Sequence, residues 1–142
     1  MTTLYLYDDA GLTTLATLPL AFTQDDLGVI TPHQRRFYLG NADAGYIFQA
    51  ASDPGVDPIT LSVVDTVPAS GQPASAIKLA TTQAGLASAT GGADLELAAT
   101  ILSGSVNAVQ IWVQFDDATA TATVATDTDI SLALSTLTVT AS

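Results

Sequence analysis

The stretch that most constrains the fold is Val106 to Asp117, VNAVQIWVQFDD. In it Val109, Ile111, Val113 and Phe115 alternate with Gln110, Trp112 and Gln114. An extended chain sends successive side chains to opposite faces, so this period of two predicts a strand with one apolar face. No segment carries a helical pattern long enough for a crossover between parallel strands. The chain is therefore expected to be built from short strands paired antiparallel.

The remaining segments fit that expectation. Leu4 and Leu6 alternate with Tyr5 and Tyr7, and Asp8-Asp9-Ala10-Gly11 ends that strand in a turn. Leu12 to Phe22 mixes spacings of three and two around Pro19 and reads as an irregular edge segment or arm. Thr23 to Pro32 reads as loop. Arg35 to Leu39 reads as a strand with Phe37 and Leu39 inward and Arg36 and Tyr38 outward. Further strands are expected at Tyr46 to Ala51, Ile59 to Val63, Ile77 to Leu79 and Leu95 to Ile101. Thr82 to Thr90 has room for one helical turn, and Thr119 to Thr126 for an edge strand. In the last strand the inward set switches from Ile130, Leu132 and Leu134 to Leu137 and Val139. That change of parity predicts a bulge or bend near Ser135-Thr136. The sum is an all-β chain of about seven to nine short strands, an antiparallel β-sandwich of Ig-like or jelly-roll topology. At 142 residues it suits a single domain, residues 1–142, with 1–32 a candidate N-terminal arm or edge segment.

Charge narrows the partners. Three basic residues, Arg35, Arg36 and Lys78, face fourteen acids, for a formal net charge of -11. Phosphate backbones are repelled by such a balance, so nucleic acid is not an expected partner. Anionic membrane surfaces are disfavoured for the same reason. Charged residues make up only 12% of the chain, which leaves a surface of Thr, Ser, Ala, Gln and Asn. That composition suits a protein that packs against neighbours or lives outside a cell. There is no Cys, hence no disulfide framework and no thiolate chemistry. The opening MTTLYLYDDAG has neither basic n-region nor apolar h-region, so no secretory leader is expected. No apolar run approaches the ~20 residues of a membrane span.

Candidate chemistry is sparse. His33 is the only imidazole and has no second His or Cys to share a metal or a triad. Asp94 and Glu96 lie two apart on one strand face, where solvent leaves their acidity ordinary. Asp116, Asp117, Asp127 and Asp129 flank the Thr/Ala segment. A hairpin there would gather four carboxylates, the oxygen-rich setting that calcium favours. Asp is also a common turn former, and Asp53 and Asp57 around Pro54-Gly55 share both readings. Trp112, between Gln110 and Gln114, points away from the apolar face of its strand. It is a candidate partner contact or sugar platform if that face is open, and a core residue if the N-terminal arm covers it. Tyr38 beside Arg36 is a second candidate contact, or an aromatic-basic cross-strand pair with no partner. No catalytic residue and no cofactor is expected.

The segments RRFYLGNADA, DPGVDPITLSVVD, AIKLATT and ADLELAATILSGSVNAVQIWVQFDD, spanning Arg35 to Asp117, resemble small structural proteins of tailed bacteriophages. Those proteins carry Ig-like β-sandwiches and serve as head decoration (cement) or tail accessory subunits. The resemblance implies a non-enzymatic virion protein, made in the host cytoplasm, whose partners are the major coat protein or other virion subunits. It also implies a homo-oligomer in the particle. A tail, neck or baseplate subunit is the alternative within that class. A carbohydrate-binding module or adhesin, using Trp112 and Asp-bound calcium, is the alternative outside it.

Overall fold

The structure is a computed structural model. It describes residues 3–18, 20–24, 30–31, 33–66, 74–115 and 125–142, with the backbone alone at 20–24, 30–31 and 125–129. Its described strands are β1 (Tyr5–Tyr7), β2 (Leu20–Gln24), β3 (Ile30–Thr31), β4 (Gln34–Gly40), β5 (Tyr46–Ala50) and β6 (Thr60–Asp65). They continue with β7 (Ile77–Ala80), β8 (Leu95–Glu96), β9 (Thr100–Leu102), β10 (Val109–Phe115), β11 (Ala125–Leu134) and β12 (Leu137–Ala141). Every pairing is antiparallel, and no α-helix occurs among the described residues. The chain is thus all-β, as its alternation predicts.

The strands form three sheets. The first has the order β1-β4-β10-β7, the second β3-β2-β11-β6-β8, and the third β12-β5-β9. In the first sheet β10 is central: Ile111 pairs with Phe37 of β4, and Val113 pairs with Leu79 of β7. Phe37, Ile111, Val113 and Phe115 are at most 1% exposed, so the apolar face of the alternation is core. Phe48 and Ile101 of the third sheet and Leu61, Ile130 and Leu132 of the second belong to the same apolar cluster. Three antiparallel sheets sharing a single core are consistent with a β-sandwich.

The second and third sheets adjoin at a bend. β11 pairs with β6 up to Leu134 opposite Leu61, and β12 starts at Leu137 opposite Ala50 of β5. The change of partner falls at Ser135-Thr136, where the parity switch places it. Two hydrogen bonds hold the corner: Ser135 N donates to Thr60 O at 2.8 Å, and Ala51 N donates to Thr136 O at 2.8 Å. The stretch from Leu95 to Ile101 makes the same transfer. Its ends are β8 on β6 and β9 on β5, rather than one continuous strand. Leu97 N donates to Ile59 O at 2.7 Å at that corner. Two segments read as single strands are therefore divided; with β2 and β3 added, the described residues hold twelve strands.

Two other segments differ from expectation. Thr23 to Pro32 is not all loop: Thr23 and Gln24 extend β2, and β3 pairs with them. β2 lies between β3 and β11, so pairing with neighbours overrides weak local strand preference there. The helical turn in Thr82–Thr90 is a short 3₁₀ segment, Ala84–Ser88. Of the expected Thr119–Thr126 strand, residues 119–124 lie outside the described residues, and Ala125 and Thr126 open β11.

Candidate interaction surface

The outer side of the first sheet is assembled from the polar half of the β4 and β10 alternations. Gln110 pairs with Tyr38, Trp112 with Arg36, and Gln114 with Gln34. On the other side of β10, Trp112 pairs with Ala80 and Gln114 with Lys78. Directly paired residues share a face, so these side chains form one patch. The sequence-predicted contacts Trp112, Gln110, Gln114, Arg36 and Tyr38 are thus brought together.

Arg36 organises the middle of the patch. Its guanidinium carbon lies 5.6 Å from the Trp112 ring centroid and 5.4 Å from that of Tyr38. Both are cation–π distances, worth about 0.5–1 kcal/mol each at an exposed site. Arg36 is exposed, whereas Trp112, Tyr38, Gln110 and Gln114 are half-buried. No ion pair to Arg36 occurs among the described residues; the ion pair found there joins Arg35 to Asp8 at 3.1 Å. The guanidinium of Arg36 lies against two rings in an exposed residue, which restrains a planar set of hydrogen-bond donors.

Trp112 lies between the two readings that its parity leaves open. Its Nε1 is buried and has no hydrogen-bond partner among the described residues. The polar edge of the indole is turned inward, so what the half-buried ring leaves at the surface is carbon. Such an apolar remnant beside Arg and Tyr is the composition of interface anchors.

Both ends of the patch are fastened. At one end a relay of amides runs from Gln83 Nε2 to Gln34 Oε1 (2.8 Å) and from Gln34 Nε2 to Gln114 Oε1 (2.9 Å). This relay ties the turn before the 3₁₀ segment to the sheet. At the other end the turn after β1 folds back over Gly40. Leu12 has a left-handed backbone (φ 56°) and is 3% exposed. A methyl group on Gly40 would lie 2.8 Å from Leu12 Cδ1, so any side chain there would displace the tip of Leu12 from its seat. The Asp9 carboxylate holds the turn, accepting from Thr14 N at 2.7 Å, Thr13 N at 3.0 Å and Thr13 Oγ1 at 2.8 Å. The hydrogen bond from Thr14 holds the Asp9 pKa below its ordinary value; desolvation opposes it, and the hydrogen bonds of Thr13 and Gly11 add to the lowering. Sequence reading missed Leu12 and Gly40, because nothing in a lone Leu or Gly announces a contact 28 residues away.

The other sequence candidates separate. His33 Nδ1 donates to Phe115 O at 3.1 Å, and Phe115 N donates to His33 O at 2.8 Å, so His33 extends the β4–β10 ladder. Asp94 and Glu96 are exposed. Asp57 accepts from Ser52 Oγ at 2.5 Å, and Asp53 O accepts from Val56 N at 3.0 Å, which makes this pair of acids a turn. Asp116 and Asp117 lie outside the described residues. Asp127 and Asp129 fall in β11, where only the backbone is described. Among the described residues no group of three or more His, Cys, Asp or Glu side chains is placed to hold a metal ion. In comparisons with known proteins, no family model, no curated protein and no solved structure matches the chain.

Proposed function

We propose that this chain is a non-enzymatic structural subunit of a bacteriophage virion, a capsid cement or decoration protein that docks on coat subunits through the outer side of its first sheet. The observation that carries the docking reading is the Trp112–Arg36–Tyr38 cluster, clamped at both ends and facing outward from a rigid sheet. Trp, Tyr and Arg are the residues most enriched where a few side chains carry most of the binding energy. Gln110 beside them supplies a neutral hydrogen-bonding group suited to a rim. The virion context rests on the phage-like segments between Arg35 and Asp117 and on the low-charge, Thr/Ala-rich surface.

The mechanism is assembly. Each copy buries an aromatic-basic anchor against a coat subunit, and many modest contacts add through multivalency on the shell. A tail, neck or baseplate subunit would use the same chemistry on a different lattice. A sugar platform is disfavoured by the geometry, since Arg36 lies over the Trp112 ring and Nε1 is turned inward. The test is cosedimentation of purified protein with heads of the encoding phage that have been stripped of it. Saturable, stoichiometric binding to heads is the expected result. Binding to tails alone would move the subunit to the tail, and binding to neither would end the virion reading.

A further inference from the structure

Residues of β1, β4, β6 and β11 leave between them an apolar cavity of about 220 Å³, open in part to solvent. Of the described side chains that line it, seven are leucines and the eighth is Tyr5. We propose that this cavity is a binding site for one small, uncharged aromatic molecule, of the size of a substituted benzene or an indole.

The walls argue for a preformed site. Leu4, Leu39, Leu61 and Leu132 are each at most 8% exposed and belong to the central apolar cluster. Leu39 belongs to the first sheet and Leu61 and Leu132 to the second, so closing the gap would mean repacking side chains of two sheets. A close-packed interior resists that. Leu18 and Tyr5 are 41% and 40% exposed and mark a route to solvent. The lining sets the class of ligand. Water needs two to four polar partners in such a site, and Tyr5 is the one described lining residue with a polar side chain. A charged ligand would lose its hydration, and the described lining offers no charged group to replace it. Size sets the rest: an apolar cavity of ~150 Å³ accepts benzene, and this one is about half as large again. The site is distinct from the Trp112 patch, and its occupancy does not depend on the docking reading.

The full-length protein should be titrated with indole and toluene, with phenylacetate as the charged control. Leucine methyl NMR and thermal melting are the two readouts. The expected result is perturbation of the cavity leucines by indole or toluene but not by phenylacetate. At ten times Kd the Tm should rise by about 3–5 °C by mass action. Leu134→Trp, at the half-buried rim, should fill the space and abolish both signals while the protein stays folded. Leu18→Trp, at an exposed position of the mouth, serves the same purpose if the first variant fails to fold. Absence of methyl shifts and of any Tm rise up to the solubility of both aromatics would overturn the proposal. So would binding that persists in a folded filled variant. A third overturning result is a dimer in solution that Leu134→Trp or Leu18→Trp converts to monomer, which would assign the gap to a second copy of the chain.

Discussion

Arg36 can be removed without opening the core, because it is exposed and its contacts are the outer faces of two rings. Arg36→Ala should therefore leave Tm within a few degrees of wild type while weakening docking. A loss of the size seen at interface hot spots, 2 kcal/mol or more, is about a thirtyfold rise in Kd. Trp112→Ala should weaken docking as much, and it also removes the buried Nε1 donor, which has no partner among the described residues. A donor left without a partner costs about 1–3 kcal/mol, so its removal offsets part of the lost packing. Chemical denaturation beside a binding titration separates the two effects. Asp9 supports a second prediction at this scale. Its folded pKa is lowered, so its contribution to stability is present above the unfolded value of about 4 and is lost as pH falls through the lower folded pKa. In carboxyl NMR, Asp9 should titrate below the unfolded value, and Asp9→Asn should flatten its part of the acid limb of the stability profile.

The latch of Leu12 on Gly40 joins the turn after β1 to the end of β4. Gly40→Val should force Leu12 from its seat and destabilise the fold by about 1–3 kcal/mol. Leu12→Ala leaves space beside Gly40, so the double variant should cost less than the sum of the singles. Urea unfolding of the four proteins closes that cycle, and strict additivity would show that the two residues do not share a contact. Elements of this kind mark the boundary of what the chain reveals before folding. β10 and β4 were legible because each has one wet and one dry face, and that alternation is local. The corner at Ser135-Thr136 was legible because a parity switch is written in consecutive residues. The division of Leu95–Ile101 was not legible, since Leu97 and Ile101 keep the same parity across the break and only the partner strand changes. β2 and β3 were missed for the same reason: their strand state depends on pairing with each other and with β11. The polar patch was legible as a set of residues, but whether its face was open or covered depended on Leu12 and Gln83 arriving from elsewhere.

At the scale of the whole molecule, a single apolar cluster spans all three sheets, so they should unfold together. Phe37 is fully buried at the middle of the first sheet, and Phe37→Ala should cost about 3–5 kcal/mol, much of the stability of a domain this size. Calorimetric and van't Hoff enthalpies should agree in the wild type; a separate early transition would show that one layer is held independently. The same rigidity makes the outer side of the first sheet a platform rather than a mobile surface. The central claim is that this side, with Trp112 and Arg36 at its middle, is the surface that meets the partner. Imaging of the assembled particle at side-chain resolution tests that claim most directly. Density for a coat subunit is expected over Trp112, Arg36 and Tyr38; a particle in which that face looks into solvent, or no particle that contains the chain, would overturn the docking reading.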